Sequence, residues 1–267
     1  MTTACPVAIG RVVLTVRDLV RVGDFYQRVI GLHRLAGGEA GLSLGVGSRP
    51  LLELRRDAAA RVRSPREAGL FHTAFLLPGR ADLGRWLRQA AAAGVPLSGA
   101  ADHAVSEALY LADPEGNGIE VYADRPASAW RWREGQVEMI NAPLDLEALA
   151  RAGGDAEWQG MPEGGGIGHV HLQVGALAPA EAFYAGRLGL DVTCRYPGAS
   201  FFAAGGYHHH LAANTWNSRG ALPRDLPSTG LAEVELRCDP AFLAAASPRG
   251  TATLADPWGT PILLAPR

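Results

Sequence analysis

A repeated pattern of apolar runs and turn residues constrains the fold of this chain more than any other feature. In each half, a β-branched run and a polar turn lead to a Phe-Tyr pair, which a Gly-Leu pair follows. The copies are Phe25-Tyr26 with Gly31-Leu32 and Phe183-Tyr184 with Gly189-Leu190. Glycine after an apolar periodic segment is typical of a helix C-terminal cap, so each copy predicts a strand, a helix and a stop. Each copy also needs a neighbour against which its apolar face is buried.

A second repeated motif precedes the last strand of a unit. The turn at 113–116 and the turn at 256–259 both read Asp-Pro-x-Gly, and an apolar strand follows each. We therefore predict an α+β protein of four βαβββ modules in series. They lie at about residues 7–57, 68–124, 166–218 and 229–266. Residues 125–165, rich in Pro, Gly and Trp, are predicted to form a structured linker between the first pair of modules (7–124) and the second (166–266).

The composition excludes several classes of protein. All 25 basic residues are arginine, so a Schiff-base lysine or a phosphate-loop lysine is impossible. Three cysteines without short spacing argue against a disulfide framework and a thiolate metal site. The net charge of −2 gives no basic face for nucleic acid, and no apolar run is long enough to span a membrane. Because the N-terminus lacks a signal-peptide pattern, we expect a cytoplasmic protein.

Histidines are concentrated in the second and third modules, which hold all of the eight except His33. His72 and His169 occupy equivalent first strands of these modules, and Glu120 lies mid-strand between two apolar residues. Buried histidine and glutamate side chains need a partner, and one shared metal ion would satisfy all three. Two histidines and one carboxylate are typical of a mononuclear Fe(II) site. The alternative is that Glu120 lies on a solvated face of the sheet.

These features resemble the vicinal oxygen chelate superfamily, which includes glyoxalase I and the type I extradiol dioxygenases. More closely, the chain resembles the CatE-type catechol 2,3-dioxygenases of Bacillus, and the resemblance covers nearly all of it. The most specific stretches are 99–114 (GAADHAVSEALYLADP), 205–210 (GGYHHH) and 214–216 (NTW). The resemblance implies that the four modules form two incomplete β-barrels.

Extradiol enzymes of this superfamily usually build the iron site from consecutive modules, and that rule fails here. Modules one and two would put Arg11 at a ligand position, and modules three and four would put Leu263 in place of the carboxylate. Pairing module two (68–124) with module three (166–218) instead assembles His72, Glu120 and His169. We therefore predict that these two modules form the active barrel and that the chain binds one metal ion.

The resemblance further implies Fe(II), with Mn(II) as second choice, and a catechol and dioxygen as substrates. His209 is the candidate acid/base, Tyr110 a hydrogen-bond donor at the metal, and His103 a support on the substrate side. Spacing alone does not distinguish His209 from its neighbours at 208 and 210. Trp216 and Asn214 are candidate substrate-binding residues. His171 lies on the same strand face as His169 and either lines the site or packs beside it.

The sequence leaves two other functions open. One is a glyoxalase-type metal-dependent lyase or isomerase, whose sites typically use an additional glutamate as base. The other is a binding or resistance protein that sequesters a small molecule without turnover, which the loss of ligand residues in one barrel would fit. The oligomeric state, including a homo-oligomer, also stays open.

Overall fold

A computed structural model describes residues 5–267 of the chain. The first module comprises β1 (Val7–Val16), α1 (Leu19–Phe25), β2 (His33–Gly37), β3 (Gly41–Val46) and β4 (Arg49–Arg56). The second comprises β5 (Gly69–Leu77), α2 (Arg80–Ala92), β6 (Gly99–Asp102), β7 (Ser106–Ala112) and β8 (Gly118–Asp124). The linker holds a 3₁₀ turn (Ala127–Ala129), β9 (Trp132–Arg133), β10 (Gln136–Val137) and α3 (Leu146–Ala152).

The second half repeats the same order of elements. The third module comprises β11 (Gly166–Gln173), α4 (Leu177–Glu181), β12 (Asp191–Tyr196), β13 (Ala199–Ala203) and β14 (Leu211–Asn214). The fourth comprises β15 (Gly230–Cys238), α5 (Pro240–Ala246), β16 (Ala252–Ala255) and β17 (Pro261–Pro266). In the described residues this last module has three strands instead of four, because only a short turn separates α5 from β16.

Each sheet combines modules that are not consecutive in the chain. The eight-stranded sheet has the order β12-β13-β14-β11-β5-β8-β7-β6 and therefore joins the second and third modules. The seven-stranded sheet has the order β16-β17-β15-β1-β4-β3-β2 and joins the first and fourth. In both sheets the first strands of the two modules run antiparallel side by side at the centre, as β5 with β11 and β1 with β15.

The two motifs that revealed the repeat connect consecutive modules across the sheets. The Tyr26 hydroxyl donates a hydrogen bond to Asp113 over 3.3 Å, and the Tyr184 hydroxyl donates one to Asp256 over 2.9 Å. Each aspartate also accepts backbone N–H groups of its own turn. Both tyrosines are buried, and burial raises their pKa well above the usual value, so they stay protonated donors. The repeated motifs therefore have a structural role, because each forms a hydrogen bond that joins a module of one sheet to a module of the other.

The Phe-Tyr segments differ from regular α-helix. Both α1 and α4 continue into a π-helical turn, at Tyr26–Ile30 and Ala182–Arg187. Gly31 and Gly189 then adopt left-handed backbone conformations with φ of +81° and +78°, which glycine accepts without steric cost. The main apolar core fills the space between the sheets and the helices. In the part of the chain that the structure describes, no helix is long and apolar enough to cross a membrane.

Candidate metal centre and active-site cavity

Three side chains of the eight-stranded sheet converge on one point. His72 on β5, Glu120 on β8 and His169 on β11 offer ligand atoms that all lie within 4.8 Å of one another. The Glu120 Oε2 atom lies 3.0 Å from His72 Nε2 and 3.3 Å from His169 Nε2. The structure thus brings together the three residues that the sequence indicated as ligands.

The strand register explains this convergence. Ala74 on β5 lies opposite Glu120 on one side and opposite His169 on the other. His72 is two residues before Ala74 and therefore points to the same face of the sheet. Because Ala74 carries only a methyl group, the larger side chains on both sides can approach each other above it.

The surroundings of His169 and Glu120 determine the protonation states of these two side chains. All three side chains are almost completely buried. Burial lowers the pKa of His169 to about 4, so its imidazole is neutral near pH 7. Burial alone would raise the pKa of Glu120, but the neighbouring His169 and His72 imidazoles outweigh it and hold that pKa well below the usual range. A neutral imidazole and an ionised carboxylate are the forms that coordinate metal ions.

The donor set fits a divalent metal. His72 Nε2 is buried and has no hydrogen-bond partner among the described residues, although it points at the Glu120 carboxylate. An orphaned buried nitrogen is costly unless something else satisfies it. Two imidazoles and one carboxylate on a single face leave coordination positions open, as in mononuclear non-haem Fe(II) sites.

A hydrogen-bonded pair lies on one side of this centre. Tyr110 on β7 lies directly opposite Glu120 in the β7–β8 register, and its hydroxyl lies 2.6 Å from His103 Nε2. His103 Nδ1 donates to the Ile140 carbonyl over 2.8 Å, so in the neutral ring Nε2 accepts from the Tyr110 hydroxyl. Burial and the neighbouring Glu120 carboxylate raise the pKa of Tyr110 well above its usual value.

A second hydrogen-bonded chain reaches the centre from the other side. His208 Nε2 lies 2.8 Å from Asp124 Oδ1, and His208 Nδ1 lies 2.7 Å from His209 Nδ1. The other Asp124 oxygen accepts from the Tyr207 hydroxyl over 2.9 Å. The carboxylate accepts, so His208 Nε2 carries hydrogen, and in the tautomer in which only that nitrogen is protonated His208 Nδ1 accepts from His209 Nδ1. The remaining nitrogen of His209, Nε2, is then unprotonated.

The structure distinguishes the three adjacent histidines. His209 lines the cavity and packs against His169 with ring centroids 4.0 Å apart and the ring planes tilted by 47°. Burial, followed by the neighbouring imidazoles, lowers the pKa of His209 well below the usual value. His208 is fully buried behind it, and His210 points away toward Cys5, with 3.4 Å between His210 Nε2 and Cys5 Sγ. His209 is thus the member of the run that faces the candidate metal centre.

The converging residues form the floor of a cavity of about 460 Å³. Tyr110, His103, His209 and Trp216 line it, as the sequence led us to expect, and so does His171. Asn214 does not line it. Its side chain is completely buried, donates through Nδ2 to His171 Nε2 over 3.0 Å, and accepts from the Trp216 backbone N–H. Asn214 therefore orients two lining residues without itself reaching the cavity.

Comparisons with known proteins agree with this architecture. The sequence model of the Glyoxalase/Bleomycin resistance protein/Dioxygenase superfamily matches residues 8–121. A protein of Bacillus subtilis (strain 168) named catechol-2,3-dioxygenase is 45% identical over 228 residues, which cover 84% of this chain and 80% of that protein. The chain belongs to the glyoxalase/bleomycin resistance/dioxygenase superfamily.

Solved structures of low sequence identity show the same fold. A Bacillus subtilis protein described as a candidate dioxygenase has a TM-score of 0.64 at 14% identity, over 97% of this chain and 86% of that one. Glyoxalase I from Zea mays has a TM-score of 0.56 at 15% identity, over 97% of this chain and 92% of that one. Both the superfamily and the α+β fold that the sequence predicted are confirmed.

The seven-stranded sheet of this superfamily member carries a counterpart of the metal centre. Val13 on β1 lies between Glu53 on β4 and Glu233 on β15, as Ala74 lies between Glu120 and His169. Arg11, two residues before Val13, stands where His72 stands in the other sheet. Its guanidinium forms ion pairs with Glu53, with Glu233 and, through Nε, with Glu235 over 2.9 Å. A cationic side chain thus occupies the position that a metal would need in this sheet.

Sequence reasoning missed most of the apolar lining of the cavity. These residues are Phe71, Val105, Met139, Ile140, Tyr196 and Phe201. Met139 and Ile140 belong to the linker, which is held in place by the His103–Ile140 hydrogen bond and by a bridge between Asp102 and Ala142. No local pattern marks such residues, because their contact with the site arises from packing between distant segments.

Proposed function

We propose that this protein is an extradiol ring-cleaving dioxygenase that opens a catechol-type aromatic diol with dioxygen at a mononuclear Fe(II) centre. The observation that supports it most is the convergence of His72, Glu120 and His169 at the floor of a cavity that His209 and Tyr110 also line. The 45% identical relative named catechol-2,3-dioxygenase supports the same reaction and substrates. On this basis we assign the enzyme to the catechol 2,3-dioxygenase class, with Mn(II) as the alternative metal.

In this proposal the three ligands hold the metal through two Nε2 atoms and one carboxylate oxygen. When bound, the metal supplies a template on which the catechol and dioxygen meet and a path for electrons between them. The protein contributes the neutral imidazole of His169 and the ionised carboxylate of Glu120, the forms that such binding requires. Their burial also excludes water from the reacting groups.

His209 is the proposed acid/base. Its Nε2 atom is the nitrogen that the hydrogen-bonded chain leaves unprotonated, so it can take a proton from a catechol hydroxyl. The resulting positive charge is shared with His208 through the 2.7 Å contact between their Nδ1 atoms and is stabilised by the Asp124 carboxylate. The same proton can return from Nε2 to the ring-opened product, which makes His209 both base and acid.

Tyr110 and His103 act on the opposite side of the cavity in this proposal. Because its pKa is raised, Tyr110 keeps its proton, and its hydroxyl can turn from His103 Nε2 to a substrate oxygen. His103 is held by the linker carbonyl at Ile140 and so supports the Tyr110 hydroxyl from a fixed position.

The cavity lining argues against a glyoxalase-type isomerase. Among the described residues that line the cavity, Glu120 is the only acidic one, so a second glutamate that could act as base is lacking. A sequestering protein without turnover would need neither the Asp124–His208–His209 chain nor a neutral, cavity-facing imidazole.

Anaerobic purification followed by metal analysis and addition of catechol in air tests the proposal. We expect one iron per chain, consumption of one dioxygen per catechol and a yellow ring-opened product. An isomerase would turn over its substrate with dioxygen excluded, and a binding protein would consume none. Two tightly bound metal ions per chain would contradict the single-site assignment.

A further inference from the structure

The two connections that lead into β5 and β15 carry a matching pair of residues. Arg63 stands six residues before Gly69, and Arg224 stands six residues before Gly230. These glycines begin β5 and β15, and their φ angles are +131° and +100°. Because β5 opens the second module and β15 opens the fourth, the two connections occupy equivalent places in the two halves of the chain. Each half thus supplies one arginine at the same point.

The two connections meet where the sheets adjoin, and their arginines cross there. The Arg63 backbone N–H donates to Thr229 Oγ1 over 3.1 Å. A Cβ atom on Gly230 would lie 3.3 Å from Arg63 Nε and 3.6 Å from Arg224 Nη1. A Cβ atom on Gly69 would lie 3.2 Å from Arg224 Nε. Each arginine therefore lies against the glycine of the opposite half, and both guanidinium groups approach one point at the junction of the two sheets.

The positive charges at this junction lack a negative partner. Within residues 5–267, neither Arg63 nor Arg224 forms an ion pair, because the nearby Glu67 binds Arg61 at 2.8 Å and accepts from the Ser64 backbone N–H. Burial, followed by the charge of Arg224, lowers the pKa of Arg63, and the charge of Glu67 opposes this shift without reversing it. Like charges that approach each other away from water destabilise the fold unless a counter-charge is present.

The two guanidinium groups differ in how their N–H groups are satisfied. Arg224 donates through Nη1 to the Thr229 carbonyl over 3.4 Å and through Nη2 to the Leu231 carbonyl. The Nη1 atom of Arg63 is buried and has no hydrogen-bond partner in the described part of the chain. A buried donor on a charged group is costly to leave without an acceptor. An acceptor that carries negative charge would satisfy this donor and neutralise the adjacent charges together.

We propose that Arg63 and Arg224 bind a small inorganic anion of the size of chloride, with Arg63 Nη1 as a principal donor. A small anion is favoured because Nη1 is closed off from solvent and the glycine backbones lie in contact with both side chains. Thr229, which bonds to both arginines, also lines an open groove, so an anion can reach the junction from solvent.

The anion stabilises the junction between the halves of the chain. It binds where the two connections are assembled, which happens only in the folded protein, so it favours folding by mass action. Neither arginine lines the cavity above the candidate metal centre, and the proposal does not depend on the reaction that the cavity performs.

Bromide locates the site directly in the unmodified protein. Crystals are soaked in sodium bromide, and anomalous scattering is recorded at the bromine absorption edge. We expect an anomalous peak within hydrogen-bonding distance of Arg63 Nη1. A water molecule at this nitrogen without an anomalous signal, or a protein carbonyl in its place, overturns the proposal.

Urea unfolding in sodium chloride and in sodium gluconate at equal ionic strength measures the effect in solution. Gluconate is the control because it is much larger than chloride. We expect the equilibrium constant for unfolding to be at least about tenfold lower in chloride, as a ligand at about ten times its Kd produces. Equal constants in the two salts overturn the proposal, and together with a bromide peak they identify an adventitious ion only.

Matched variants assign the chloride effect to the junction. Arg63→Met removes the donor and one of the two unpaired charges, so we expect it to lose the chloride effect and to be at least as stable as the wild type in gluconate. Arg66→Met removes an exposed arginine of the same connection and should keep the full effect. Arg63→Gln repeats the test if Arg63→Met fails to fold. A chloride effect that persists without Arg63, or that both Arg63→Met and Arg66→Met lose equally, overturns the proposal.

Discussion

At the residue scale, the site depends on how each buried polar group is satisfied. His72 Nε2 lacks a hydrogen-bond partner in the described structure, whereas both nitrogens of His208 are engaged. These two situations indicate different roles, because an orphaned nitrogen beside a carboxylate suits a metal ligand and a paired one suits positioning. Two predictions separate ligand residues from proton-transfer residues.

Removing a ligand should remove the metal. We expect Glu120→Ala to reduce iron content to background and to abolish ring opening, because two imidazoles hold iron weakly. The matched control is Glu53→Ala, which removes the carboxylate at the equivalent register position of the other sheet, where Arg11 and not a metal is bound. Metal analysis compares the iron content of the Glu120→Ala and Glu53→Ala variants. Full iron occupancy in Glu120→Ala would move the carboxylate ligand elsewhere.

Removing the proton-transfer chain should leave the metal in place. We expect His209→Asn to retain iron and to bind catechol anaerobically, while kcat falls by about 10²–10⁴-fold, the usual contribution of a positioned acid/base. Asp124→Asn should lower kcat less and alter the pH profile of kcat, because the charge that stabilises protonated His208 and His209 is lost. His210→Asn is the neighbouring control, since His210 does not line the cavity. Loss of iron in His209→Asn would make His209 a ligand.

At the element scale, the register of three adjacent strands builds the centre. β5 lies between β8 and β11, and the small side chain of Ala74 separates Glu120 from His169. In the other sheet Val13 holds the equivalent position between two glutamates. We therefore expect the side chain at this central position to limit how closely the flanking groups approach.

Enlarging Ala74 should disturb the metal centre more than the fold. We expect Ala74→Val to weaken iron binding, while overpacking lowers the free energy of unfolding by about 1–3 kcal/mol. Val13→Ala is the reciprocal control and should leave iron content unchanged. Iron titration and urea unfolding of the two variants measure both effects. Wild-type iron affinity in a folded Ala74→Val protein would show that the spacing above Ala74 is not critical.

At the scale of the whole molecule, several histidines are buried in their neutral form, and this makes stability depend on pH. Burial, followed by the charges of His208 and Arg267, lowers the pKa of His210 from 6.5 to about 3. In the unfolded chain the same imidazole binds a proton near pH 6.5. Between these pH values the unfolded state therefore holds a proton that the folded state lacks, and stability falls as the pH falls.

Replacing His210 should reduce that dependence. A single such group contributes a slope of about 1.4 kcal/mol per pH unit. We expect the free energy of unfolding of metal-free His210→Asn to decline less steeply than that of the wild type between pH 6 and pH 4. His33→Asn, at an exposed histidine of β2, should follow the wild-type slope. Urea unfolding at several pH values measures these slopes, and parallel curves for wild type and His210→Asn would contradict the argument.

Much of the fold could be predicted from local patterns. The Phe-Tyr and Asp-Pro-x-Gly repeats marked the modules, and the alternation around Glu120 showed that this side chain points opposite to its apolar neighbours. These signals are readable because strand and turn patterns depend on residues close together in the chain. The fourth module was predicted to have four strands like the others, but the structure has three. Its short sequence did not show whether a strand or a loop had been lost.

The sequence by itself determined the repeated α+β modules, the superfamily and the residue types that can bind a metal, because each depends on local pattern or residue chemistry. Only the tertiary structure decided how these residues act together. Antiparallel pairing of β5 with β11 sets His72 beside His169, although nearly a hundred residues separate them. Packing of the linker brings Ile140 to the cavity wall, and Asn214 is buried against His171 instead of lining the cavity. Such contacts join distant segments, so their geometry depends on how the whole molecule packs.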